Sequence, residues 1–229
     1  MEQLPRGFTL EIGAGCFPLS TDSMVLSHFA RLPKNARVLD LGSGCGTLGL
    51  LLCSRDDHCH VTGIELDETA HRAAEENIRR NNLTRMESIC ADLRQVPGLI
   101  PAGSFSTCVS NPPYYTGGPA SQSTPTARRD DCCTCRDLMR SAGHALKFGG
   151  DFFLVHKPEK LAELIARAAE FQLEAKRLML LRHKEGGNVN LIFLQFRKGG
   201  KPGLILEEES LFHKDGTPTS FYNMVYHME

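Results

Sequence analysis

Val38-Leu39-Asp40-Leu41-Gly42-Ser43-Gly44-Cys45-Gly46 runs an apolar strand into a glycine loop and then into a helix. At such a junction bare backbone and a helix N-terminus are open to a ligand, because glycine accepts angles and approaches that a Cβ forbids. The run predicts a site for something small and polar. Gly44 to Gly49 also match G-x-G-x-x-G, the spacing of a dinucleotide loop. Asp40 argues against a dinucleotide. Its charge, just before the first glycine, would repel a pyrophosphate but attract the amino group of a methionine-type ligand. The chain has no G-x-x-x-x-G-K-[ST] run, which removes the P-loop reading.

Glu65 ends the next predicted strand about twenty residues after the loop, where a carboxylate can accept both hydroxyls of a ribose. Gly42, Gly44, Gly46 and Glu65 together describe a nucleoside site. The following strand ends Ile89-Cys90-Ala91-Asp92. Asp92, leaving a parallel strand at the same sheet edge, is read as a partner for an adenine amino group, with a plain N-cap as its alternative.

These motifs sit in a repeating pattern. Short apolar runs at Arg37–Leu41, His60–Glu65, Met86–Cys90, Phe105–Ser110 and 151–156 alternate with amphipathic stretches such as 68–82, capped by Asp67, and 158–172. That alternation predicts an α/β fold, a mostly parallel sheet with helices on both faces. Runs at 173–183 and 190–197, split by Gly186-Gly187, are read as an antiparallel addition at the edge. Asp215-Gly216 suggests a turn between two short strands.

With 229 residues, 41% hydrophobic and 23% charged, the chain has ordinary globular usage, which excludes disorder, collagen and coiled coil. A single domain is expected, with 1–36 as an N-terminal segment, 37–198 as the core sheet and 199–229 as a tail. Nine cysteines, an odd number, with no leader-like opening and no apolar run near 20 residues, point to reduced thiols in a soluble cytoplasmic protein without a membrane partner. Cys132, Cys133 and Cys135 are too closely spaced to share one ion, so no metal is expected. The net charge is −1. It is not evenly spread, with 10 basic against 13 acidic residues in 1–115 and 16 against 14 in 116–229.

Ser110-Asn111-Pro112-Pro113-Tyr114 follows the fourth strand. Two prolines stiffen the chain, so the Asn111 side chain and the Pro112 carbonyl form a fixed pair of acceptors for an amino group, with Tyr114 placed to stack on a planar group. Accepting from an NH2 conjugated to a ring favours the pyramidal geometry that attack on a sulfonium methyl requires.

In order and spacing, Asp40 to Gly46, Glu65, Asp92 and Asn111 to Tyr114 resemble the class I S-adenosylmethionine (SAM)-dependent amino methyltransferases with an NPPY motif. Within them the chain resembles the bacterial tRNA1(Val) adenine-37 N6-methyltransferase family. The likeness spans nearly the whole chain: Phe17-Pro18-Leu19-Ser20-Thr21-Asp22, Asn111-Pro112-Pro113-Tyr114-Tyr115, Ala127-Arg128, Val155-His156-Lys157-Pro158 and Lys198-Gly199-Gly200-Lys201-Pro202. The family often reads Gly-Thr-Asp where this chain has Ser20-Thr21-Asp22.

The resemblance implies a Rossmann-like seven-stranded sheet, SAM as cofactor with S-adenosylhomocysteine as product, and a tRNA adenine as acceptor. It places Glu65 on the ribose, Asp92 near the adenine, and Asn111 to Tyr114 around the target nitrogen, with Pro113, Tyr115 and Arg128 toward the substrate. The segment holding Thr21 and Asp22, also read as N-caps of a helix 23–31, would cover the methionine end. Phosphates of the tRNA would meet Arg128, Arg129, Arg136 and Arg140 after a loop at 116–126 read as mobile, and Lys157, Lys160, Arg182, His183 and Lys184 at neighbouring strand ends. Three alternatives stay open: a protein glutamine N5-methyltransferase acting on release factors, a SAM-binding or RNA-binding module without catalysis, and a DNA adenine methyltransferase, for which the chain lacks an obvious target-recognition domain. Glutamine methyltransferases usually carry an N-terminal helical domain, for which only about 36 residues precede the first core strand.

Overall fold

Alternation of apolar side chains between two sheet faces organises the whole structure, a computed structural model that describes residues 1–13, 16–113 and 133–227. A small pair, β1 (Glu2–Gln3) and β2 (Thr9–Leu10), precedes the main strands β3 (Arg37–Leu41), β4 (His60–Glu65), β5 (Met86–Cys90), β6 (Phe105–Ser110), β7 (Leu146–His156), β8 (Leu173–Lys184), β9 (Val189–Lys198) and β10 (Ile205–Phe212). The helices are α1 (Thr21–Phe29), α2 (Thr47–Arg55), α3 (Glu68–Arg80), α4 (Val96–Leu99), α5 (Cys135–Ala145), α6 (Leu161–Glu170) and α7 (Ser220–His227).

The main sheet runs β10-β8-β9-β7-β6-β3-β4-β5. Every pairing is parallel except those of β9, which runs against both β7 and β8. Val38, Phe153 and Val155 face one core with residues of α1, α2 and α7, whereas Leu39, Leu41, Phe152 and Leu154 face the other with α5 and α6. All these side chains are essentially buried. Strand order reverses between β3 and β6, which opens a crevice at the carboxyl ends of the strands where ligands of such sheets sit.

The tail departs from expectation. Residues 205–212 add an eighth strand, so the sheet extends past 37–198, and the antiparallel β9 lies inside the border strand β10. The chain after Asp215-Gly216 forms α7, where a second short strand was expected; Phe212 and Pro218 make one isolated bridge. Two long-range contacts decide this. Arg177 on β8 holds Glu207 on β10 through Nη2–Oε2 at 2.8 Å. Phe221 and Val225, four apart on one helical face, bury into the core of α1 and α2.

Two glycines set close approaches. A Cβ on Gly49 would stand 2.5 Å from Met86 Cε, and one on Gly63 2.6 Å from Ser43 Oγ. The third glycine of G-x-G-x-x-G thus packs α2 against the sheet.

Candidate active site

The carboxyl ends of β3, β4, β5 and β6 bring Asp40, Glu65, Asp92 and Asn111 to one edge of the sheet. Gly42, Gly44 and Gly46 all have positive φ, at 77°, 56° and 84°. These left-handed angles suit glycine and let the loop turn from β3 into α2. A Cβ on Gly42 or Gly44 would meet nothing within 4 Å, so the backbone borders open space.

Glu65 organises this loop. Its Oε2 accepts from Gly44 N–H at 2.8 Å and its Oε1 from Asp67 N–H at 2.8 Å. Each carboxylate oxygen has a second lone pair, so a diol can still be accepted. The backbone N–H groups of Gly42 and Ser43 donate to Ile64 O at 2.9 and 3.1 Å, which ties the loop to β4.

Asp40 is buried, and its Oδ2 has no partner among the described residues. Burial, and then the charge of Glu65, push its carboxyl up to about 7, against the opposing pull of the Gly49 N–H. Ser43 Oγ is likewise buried without a partner. Two orphaned polar atoms under a glycine cradle fit a ligand that brings its own donors, such as an amino group.

Asp92 has local partners. It caps the turn that follows, accepting from Arg94 N–H at 2.8 Å and from Arg94 Nε at 2.8 Å on its other oxygen. The Arg94 guanidinium holds the Asp92 carboxyl below the usual carboxylate range. An adenine amino group there would share the carboxylate with Arg94.

Asn111 is half-buried at the end of β6. Its Nδ2 donates to Ser23 Oγ at 3.0 Å. Ser110 Oγ donates to Leu41 O at 2.7 Å and so locks β6 to β3 immediately before the motif. Pro112 and Pro113 follow, half-buried and exposed respectively. Tyr114, Tyr115, Arg128, Arg129, Cys132 and the loop 116–126 lie outside the described residues.

The N-cap of α1 is Ser20, whose Oγ accepts from Ser23 N–H at 3.3 Å; Thr21 and Asp22 are its first two residues, and it ends at Phe29. The caps predicted at Thr21 and Asp22 are therefore corrected to Ser20, one and two positions earlier, because the Ser20 hydroxyl reaches the third helical N–H. Thr21 Oγ1 instead bonds Tyr226 Oη on α7 at 2.7 Å.

Pattern reading missed Ser23 and Asn77. Asn77, fully buried on α3, accepts from Glu11 N–H at 2.9 Å and donates to Glu11 O at 2.9 Å and Cys45 O at 3.0 Å. It ties the N-terminal segment to the glycine loop. A polar residue inside an amphipathic helix was the available signal.

The predicted cationic patch is reduced. Arg136 pairs with Glu170 and Arg140 donates to Arg94 O, so both brace α5. Arg182 donates to Gly187 O within its hairpin, and Lys160 pairs with Glu163. Burial pushes the Cys133 thiol up to about 12. Among the described residues no group of three His, Cys, Asp or Glu side chains could hold a metal ion, and no helix is long and apolar enough to cross a membrane.

Residues 20–172, a span holding the glycine loop, Glu65 and the Asn111 motif, match the model of the methyltransferase small domain. The chain belongs to this family. It is 27% identical over 223 residues, 93% of each chain, to a protein of Photobacterium profundum named tRNA1(Val) (adenine(37)-N6)-methyltransferase. It is 30% identical over 172 residues, 74% of this chain and 70% of the other, to a Shewanella halifaxensis protein of the same name. Among solved structures, a predicted O-methyltransferase of Agrobacterium tumefaciens superposes with a TM-score of 0.76 at 20% identity, covering 90% of this chain and 95% of that one. That likeness carries the fold. The SAM-dependent methyltransferase fold anticipated from the motifs is thus the fold observed, and the chain is a methyltransferase.

Proposed function

We propose that this methyltransferase moves the methyl group of SAM to the exocyclic N6 of an adenine in tRNA, leaving S-adenosylhomocysteine. The observation that carries the reading is Asn111, held by Ser23 at the strand edge that also bears Asp40, Gly44 and Glu65. The names of the Photobacterium and Shewanella relatives support the acceptor. Such an acceptor places the enzyme with the tRNA pool of the cytoplasm.

In this reading Glu65 takes the ribose hydroxyls, the N–H groups of the glycine loop and Asp40 face the methionine end, and Asp92 lies by the adenine. The N-terminal segment 1–36, with Thr21 and Asp22, covers that end. When bound, SAM supplies an electrophilic methyl, and its sulfur keeps the electron pair of the broken bond. Asn111 Oδ1 and the Pro112 carbonyl accept the two N–H bonds of the target, which draws the nitrogen toward a pyramidal, nucleophilic shape. Its proton leaves late, to water, so no base of tuned pKa is required. Tyr114 stacks on the base, with Pro113, Tyr115 and Arg128 along the substrate.

Ser23 is a positioning residue here. Accepting from Nδ2, with Ser20 Oγ donating to it at 3.4 Å, it turns Oδ1 of Asn111 the other way. Loss of one neutral hydrogen bond is worth about 1 kcal/mol. Ser23→Ala is expected to lower kcat about fivefold with KM for SAM unchanged, and Ser23→Thr to restore most of it; single-turnover kinetics of the three proteins check this.

Asp40 gives a pH dependence. Burial and the neighbouring Glu65 raise its carboxyl from 3.8 to about 7, so the uncharged form is favoured, and this contribution to stability is lost as pH climbs through about 7. A cationic amino group at Oδ2 favours the charged form instead. SAM affinity is expected to fall about tenfold between pH 8 and pH 6, and Asp40→Asn to flatten that slope, as read by calorimetric titration.

Incubation with unmodified tRNA, followed by nucleoside mass mapping, tests the function. N6-methyladenosine is the expected product. Methylglutamine in a release factor with no methyladenosine, or SAM binding with no transfer to tRNA, peptide or DNA, overturns it.

A further inference from the structure

Between the N-terminal segment, α1, the end of α2 and α7 the protein has a cleft of about 670 Å³ whose lining includes Arg6, Met24, His28, Arg55 and Tyr226. Its charges are unusual for this molecule. Most arginines of the described residues are committed to carboxylates, as Arg72, Arg79 and Arg80 are on α3, and Arg6 reaches Asp57 at 3.2 Å. Arg55, the half-buried last residue of α2, has no ion pair and no side-chain hydrogen bond among the described residues. Arg31, exposed two residues after α1, has none either.

His28 and Arg55 line the cleft together, and Arg31 follows two residues after the end of α1. Burial lowers the His28 pKa, and the charges of Arg55 and Arg31 lower it further. Holding a half-buried guanidinium without a counter-charge costs free energy that an incoming anion would recover. The guanidinium fork is matched to phosphate oxygens. The Tyr226 hydroxyl, bonded to Thr21, adds a polar rim, and Met24 an apolar floor.

We infer that this cleft binds phosphates of the RNA strand that flanks the target base, with Arg55 as the contact in its lining and exposed Arg31, three residues past His28, as a second contact outside it; this rests on the tRNA reading above. Placement supports that occupant. Ser23, which holds Asn111, and His28, which lines the cleft, are five residues apart on α1, a rise of about 8 Å. The same helix therefore presents one stripe to the methylation motif and the next to the cleft.

The test is binding of a fluorescein-labelled unmodified tRNA, followed by anisotropy across a salt series, for wild type and for Arg31→Gln/Arg55→Gln. The double variant is expected to bind tRNA about tenfold more weakly, with the slope of log K against log salt smaller by about 2, one for each lost contact. KM for tRNA should rise while SAM affinity and kcat at saturating tRNA stay put. Arg31→Glu, changed at an exposed position, should weaken binding without touching the melting temperature. Unchanged tRNA affinity and slope in both variants overturns the inference. So does saturable binding of inorganic phosphate with tRNA affinity unchanged in the double variant, which assigns the cleft to a free anion. Wild-type binding that the variants weaken, without any methyladenosine formed, keeps the inference and removes the tRNA-methylation reading; methyladenosine formed with an unaltered KM in the variants does the reverse.

Discussion

Asn111→Ala is expected to lower kcat about 10³-fold while the Kd for SAM changes less than about threefold. The size follows from what is removed. One acceptor aimed at charge that develops only in the transition state is worth about 3 to 4 kcal/mol, far more than its contribution to ground-state binding. The Ser23 contact is worth only the orientation of that acceptor, which is why its loss is the smaller effect. Ser110 still locks β6 to β3 in the variant, through its bond to Leu41 O, so the fold and the glycine loop are retained. Transfer of tritiated methyl to tRNA, measured beside calorimetric titration of SAM, separates the two quantities. A large loss of SAM affinity would contradict the division of labour between the Asn111 motif and the loop.

Glu65→Ala is expected to raise the Kd for SAM about 10²-fold and to leave kcat at saturating SAM within about threefold of wild type. Two hydrogen bonds to a carboxylate contribute about 1.5 kcal/mol each at the lower end, and 1.4 kcal/mol is a factor of ten. The variant also strips the acceptor from Gly44 and Asp67 N–H, so the loop loses one tie to β4's end and keeps those of Gly42 and Ser43 to Ile64 O. Glu65→Gln, which keeps one carbonyl acceptor and loses the charge, should fall between. It should also move the pH dependence of SAM binding downward, because Glu65 is the second cause of the raised Asp40 carboxyl. Titration at several pH values reads both effects; a kcat collapse with intact SAM affinity would place Glu65 in the chemistry instead.

Much of this site was legible because it is local. A glycine loop between strand and helix, a carboxylate one strand later and a rigid Asn-Pro-Pro run are each contained within a few residues, and their backbone demands are written in residue type. The cap at Asp67 was read correctly on the same grounds, since its side chain accepts from Ala70 N–H three residues on. Misplacing the cap of α1 shows the limit of local reading. Ser20, Thr21 and Asp22 are all good capping residues, and only the packed helix shows which hydroxyl reaches Ser23 N–H.

The sequence by itself determined the succession of strands β3 to β9 along the chain, the glycine loop between β3 and α2 and the chemical identity of its acceptors, because those depend on period, β-branching and side-chain chemistry over short spans. Tertiary structure alone decided the pairings between distant residues. Ser23 meets Asn111 across 88 positions and Asn77 meets Glu11 across 66. Glu207 joins Arg177 to make β10 an eighth strand, and Glu170 takes Arg136 out of the expected patch. Among the described residues Arg31 and Arg55 meet no carboxylate, and that too is set by where the fold puts them. A charge or hydroxyl can be named from sequence, but its partner is chosen by which surfaces the hydrophobic core brings together, and that is a property of the whole chain.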